Sequence, residues 1–124
     1  MSKKKAKIRW LVAPADGNYP SALSYLSLLF DEAKARQYVG ALKQSPMSEF
    51  KARDIFRASG LPLLGISQHQ IERNYNKIND GEKLSPILLI RDEIHGKVII
   101  ADGYHRVCAV YHYNDDSVIP CEIV

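Results

Sequence analysis

From Leu84 onward the chain changes its pattern, and that change limits the fold more than any other feature. Before it, apolar residues recur every three or four positions. After it they run together, over Pro86–Arg91 and again over Lys97–Ala101. Each run has the length of a strand, and Val98, Ile99 and Ile100 are β-branched or aliphatic residues suited to a sheet. Asp92–Gly96 between them is turn-like, so the two runs predict a hairpin. Continuous rather than alternating apolar character predicts strands covered on both faces. Asp102-Gly103 breaks the second run, Tyr104–Tyr113 reads as a helix, and Val118–Val124 returns as a last strand with Pro120 near its start or on an edge.

The first half predicts helices. Ile8–Val12 is a short apolar stretch suited to an edge strand, and Pro14–Pro20 reads as a loop. A helix starts near Pro20, with Leu23, Leu26 and Phe30 on one face. A second, from about Asp31, sets Ala35, Tyr38, Val39 and Leu42 at helical spacing and stops at Ser45-Pro46. Glu49–Ser59 fits either a strand or a short helix. Gly60–Gly65 is an apolar loop, expected to pack on the core or rim a pocket. Ser67 with Gln70 reads as a capping box, and Ile66 with Ile71 as a hydrophobic staple, opening a helix whose apolar face is Ile71, Tyr75 and Ile78. The whole predicts one α+β domain over 8–124, a small mixed sheet with packed helices and a helical N-terminal half, behind a basic tail at 1–7.

Charge locates in that tail. The formal net charge is +3, but Lys3, Lys4, Lys5 and Lys7 carry four of the 17 basic residues. Without them 13 basic residues face 14 acidic ones, so a basic body reading nucleic acid is not expected. No run approaches the ~20 apolar residues of a membrane span. Cys108 and Cys121 have neither CxxC nor zinc spacing, and read as buried residues of a cytoplasmic protein. His69, His95 and His112 stand apart, so no dedicated metal site is expected.

The chemistry concentrates at Asp102-Gly103-Tyr104-His105-Arg106, a strand-to-helix turn. A helix start leaves backbone N–H groups unpaired and carries partial positive charge. Gly103 permits a sharp turn and close approach. His105 and Arg106 in the first turn oppose the helix dipole unless an anion sits between them, which points to a phosphate or carboxylate site. The structural alternatives are Asp102 as a simple N-cap, Arg106 paired with Asp115 or Asp116, and a solvated His105. Lys51, Arg53 and Arg57 around Asp54 read as a solvated face with local ion pairs, or as extra phosphate contacts. Tyr104 could stack on a base, or belong to the core.

In order and spacing, Leu84–Ile90, Val98–Ala109 and Ile119–Val124 resemble the ParB/sulfiredoxin superfamily, over roughly residues 66–124. Sulfiredoxins carry Cys where this chain has Tyr104, so sulfinic-acid reduction is not expected. Partition ParB proteins carry a GERR turn, matched here only by Gly103 and Arg106. No helix-turn-helix region follows before Val124, so centromere reading of that type is not expected. Free-serine-kinase-like members carry DGxHR, matched by Asp102, Gly103, His105 and Arg106. That resemblance implies a nucleotide-phosphate-binding protein with Gly103, Tyr104, His105 and Arg106 at the phosphates and a catalytic role for Asp102. It also implies an upstream catalytic Glu, for which Glu49 is the candidate beside its reading as a solvated loop carboxylate. The cofactor implied is a nucleoside di- or triphosphate with Mg²⁺, and any reaction would be phosphotransfer to a small-molecule acceptor. The alternative is a non-catalytic nucleic-acid-associated module contacting phosphates through its lysine tail. A homodimer stays open, and no membrane partner is expected.

Overall fold

The computed structural model describes residues 7–124. Lys3, Lys4 and Lys5 of the basic tail lie outside them, and Lys7 is exposed. The fold is α+β, with a helical N-terminal half. In chain order it runs α1 (Asn18–Leu29), α2 (Glu32–Gln44), β1 (Met47–Lys51), α3 (Ala52–Ser59), α4 (His69–Asn79), β2 (Ile87–Asp92), β3 (Lys97–Asp102), α5 (Tyr104–Tyr113) and β4 (Val118–Ile123).

The four strands form one mixed sheet in the order β1-β4-β2-β3. β2 and β3 make the expected antiparallel hairpin, β1 pairs antiparallel with β4, and β2 pairs parallel with β4. The continuous apolar runs serve two cores at once. Ile87 and Leu89 of β2 pack among α3, α4 and α5 on one face, with Val98 and Ile100 of β3. Leu88 and Ile90 turn to the other face, against Leu26 of α1 and Val39 and Leu42 of α2. Strand alternation thus divides one apolar run between two helical layers.

Pro120 is tolerated for a local reason. β4 is an inner strand, but its pairing to β2 begins at Cys121, so at Pro120 it has only β1 beside it. The ambiguous segment resolves into both readings in succession: β1 through Lys51, then α3 from Ala52, with Ile55, Phe56 and Ser59 buried.

Two local expectations are corrected. Ile8–Val12 is not a strand of the sheet. It makes a single parallel bridge, Trp10 to Leu84, with Leu11 N–H donating to the Leu84 carbonyl at 2.8 Å, while Val12 is 97% exposed. The N-cap of α4 is Gln68, not Ser67. Its amide closes a turn onto the Gly65 carbonyl and its side-chain Oε1 accepts from Ile71 N–H at 3.0 Å, which moves the helix start one residue on. Ile66 is left 40% exposed rather than stapled against Ile71.

The apolar loop at 60–65 lies against α5. His112 Nε2 donates to the Leu64 carbonyl at 2.7 Å, and the Tyr104 hydroxyl donates to the Pro62 carbonyl. Both cysteines are buried thiols, and burial pushes Cys121 up to about 12. Among the described residues no helix is long and apolar enough to cross a membrane.

Candidate anion site at the start of helix α5

β3 ends at Asp102 and α5 starts at Tyr104, so one residue turns the chain. That residue is Gly103, with φ +112°, a left-handed conformation that side-chain-bearing residues rarely adopt. Gly103 is also the N-cap of α5 and provides no side-chain cap. The amides of the first turn are therefore left for another acceptor.

Asp102 is not the cap. Its Oδ2 accepts from Arg106 Nη2 at 2.8 Å and from Asn18 Nδ2 at 2.5 Å. The Asp102 and Arg106 side chains are 14% and 15% exposed, so this pair is largely desolvated. The missing side chain at residue 103 makes it possible: a Cβ there would overlap the Ile87 δ-methyl and lie 2.8 Å from Arg106 Nη2. Arg106 folds back over the glycine to reach Asp102. Its Nε is buried without a hydrogen-bond partner.

Asn18 is itself held. Ser85 Oγ donates to Asn18 Oδ1 at 2.7 Å and accepts from the Ala15 amide at 3.0 Å. A chain of hydrogen bonds thus runs from the loop before α1, through Ser85 at the entry to β2, to the Asp102 carboxylate.

A polar cleft of about 240 Å³ opens beside this turn, between α4 and the start of α5. Asp102, Gly103, Tyr104, His105 and Arg106 line one side, and Gln70, Arg73, Asn74 and Lys77 of α4 the other. Arg73, Lys77 and Arg106 face a single carboxylate, Asp102. The cleft is thus cationic in a chain whose charge is otherwise nearly balanced.

All of the residues expected at the phosphate site meet here, but Tyr104 is committed elsewhere. Its hydroxyl pins the 60–65 loop, and burial raises it above its ordinary value. Glu49 does not join them. It is exposed on β1, opposite Pro120, at the sheet edge remote from β3. Three strand spacings separate those edges, about 14 Å. Lys51 and Arg53 pair instead with Asp116, at 3.1 and 3.0 Å, and hold its carboxyl below the usual range. Arg57 lies 3.9 Å from Asp54. None of these three lines the cleft.

Arg73 and Lys77 were missed by sequence reasoning, although a signal existed. Gln70, Arg73, Asn74 and Lys77 recur at helical spacing along one flank of the Ile71 and Ile78 face, a stripe easily read as solvated. Asn18 falls in the Pro14–Pro20 segment expected as a loop, and Ser85 carries no signal.

Among the described residues no group of three His, Cys, Asp or Glu side chains could hold a metal ion. No family model matches the chain, and no curated protein or solved structure matches it either.

Proposed function

We propose that this chain is a ParB/sulfiredoxin-like domain of the cytoplasm that binds nucleotide phosphates at the start of α5. The observation that supports this most is the cleft between α4 and α5, where three basic side chains and an uncapped helix start converge around one carboxylate. Such a start favours a phosphate electrostatically, and the first-turn amides provide donors of the right direction.

The roles follow from the contacts. Arg106 is held at the turn by Asp102, and its side chain lines the cleft as the guanidinium nearest the uncapped helix start. His105 is the adjacent donor. Arg73 and Lys77, one turn apart on α4, meet the outer phosphates. A nucleoside di- or triphosphate fits this donor set. Asp102, the carboxylate that lines the cleft, would help hold Mg²⁺ carried by the phosphates, and the ion would lower their charge. Phosphotransfer to a small-molecule acceptor is the activity this arrangement serves, through positioning and charge neutralisation.

Calorimetric titration with ATP, ADP and CTP in Mg²⁺ tests the reading. Binding of at least one is expected, and at 100 times its Kd it adds about 2.7 kcal/mol of apparent stability. Absence of heat and of thermal shift with all three rejects it.

A further inference from the structure

β3 is the outermost strand at its end of the sheet. It pairs with β2 on one side, and among the described residues no strand pairs with its other side. Such an edge presents a row of backbone N–H and C=O groups spaced to receive another strand.

Here the edge is the floor of a groove of about 400 Å³. One wall is the C-terminal end of α1, with Tyr25, Leu29 and the adjoining Phe30. The other is the end of α3 and its following loop, with Ser59 and Leu61. Tyr25, Leu29 and Leu61 are 42%, 47% and 40% exposed, so large apolar side chains face solvent on both sides of the open edge. An isolated exposed leucine is ordinary. Apolar walls flanking an open strand edge make a slot that fits an extended chain.

Two further facts select the occupant. The edge is recessed between two helices, so the β3 edges of two copies would be held apart by their own α1 and α3 walls. A single extended chain enters where a second sheet cannot. At the hairpin end, Lys97 is exposed and makes no ion pair within 4 Å among the described residues; the Asp92 carboxylate is bonded by His95 Nδ1 at 2.8 Å and is drawn on by Lys97 only at longer range. Lys97 therefore complements an acidic side chain on the incoming segment.

We propose that this groove binds an extended peptide segment of a partner protein, which adds to β3 as a fifth strand. The segment sets apolar side chains at alternate positions between the α1 and α3 walls and an acidic residue against Lys97. Backbone hydrogen bonds to β3 provide the affinity, and the walls select the side chains. The groove shares no lining residue with the cleft at α5, so the two sites stand independently.

The test is a displayed library of random linear dodecapeptides selected on the full chain, followed by titration of the synthesised binders. Enriched peptides with alternating apolar residues and an acidic flank are expected, shifting the backbone amide resonances of Lys97, Val98, Ile99 and Ile100. Leu29→Glu with Leu61→Glu, both at exposed positions, weakens them by about tenfold or more with unchanged circular dichroism. N-methylation of alternate peptide amides abolishes binding in one register only. Failure to enrich any peptide overturns the proposal. So do binders indifferent to both leucine substitutions, binders that shift only the α5 cleft, and a dimer formed through this groove.

Discussion

Asn18 and Asp102 stand 84 positions apart and share a hydrogen bond of 2.5 Å, which ties the first helix to the turn that carries the candidate site. Asn18→Ala leaves the Asp102 carboxylate with Arg106 alone and strands Ser85 Oγ. A loss of about 1–2 kcal/mol in urea unfolding is expected. Asn18→Asp sets a second carboxylate against the first. It costs more at neutral pH and recovers as the pH falls into the carboxylate range. Equal stability of Asn18→Asp at pH 7 and pH 4, relative to the parent, would contradict the contact.

Gly103→Ala is expected to destabilise by about 2 kcal/mol or more, since it forces a side chain into a left-handed backbone and into the space of Ile87 and Arg106. Denaturant unfolding measures it. Gly17→Ala is the control, because a Cβ at Gly17 meets nothing within 4 Å and its φ is −69°.

Glu122 gives the fold a pH dependence. Its side chain is buried at 6% exposure, and burial raises it above the usual glutamate value although the Tyr19 hydroxyl donates to it at 2.8 Å. A raised acid favours the folded state while protonated, and that stability is lost as pH rises from the ordinary value through the folded one. Glu122→Gln keeps an acceptor for Tyr19 and carries no charge. Its stability relative to the parent should therefore grow between acid and neutral pH. A constant difference across that range would contradict the burial argument.

Tyr19 is the reciprocal case. Burial, together with the bonded Glu122, pushes it up to about 12. Absorbance titration at alkaline pH should show a tyrosine ionising well after the ordinary range near 10, and Tyr19→Phe should remove that late step. Its contribution to stability is lost as pH rises toward 12. Persistence of the late step in Tyr19→Phe would assign it to another residue.

Position on the sheet separates the two carboxylates proposed for catalysis. Arg73→Ala and Lys77→Ala should each weaken nucleotide binding by about 1 kcal/mol, roughly fivefold, and lower its salt dependence. Glu49→Gln, at the opposite sheet edge, should leave the dissociation constant unchanged. Loss of affinity on Glu49→Gln would move the site.

The strand-to-helix turn was legible because local chemistry determines it: a β-branched run, a glycine and a helix with a cationic first turn. The α2 and α4 faces and the hairpin were legible for the same reason, since Val39, Leu42, Ile71 and Ile78 show their burial in their spacing. What was not legible depends on pairing across the chain. Asn18 meets Asp102 only once α1 lies beside β3. Arg73 and Lys77 become site residues only when α4 packs along α5. The Gln68 cap escaped notice because Ser67 is the better capping residue by type. The Gly65 turn brings Gln68 Oε1, not the serine, to Ile71.

The most direct test of phosphate binding at α5 is an amide-resolved nuclear magnetic resonance titration with Mg·ATP. Saturable shifts of the Tyr104, His105 and Arg106 amides are expected, weakened in parallel by Arg73→Ala and Lys77→Ala. Shifts confined to other surfaces, or saturation at those three amides unchanged in both variants, would contradict it.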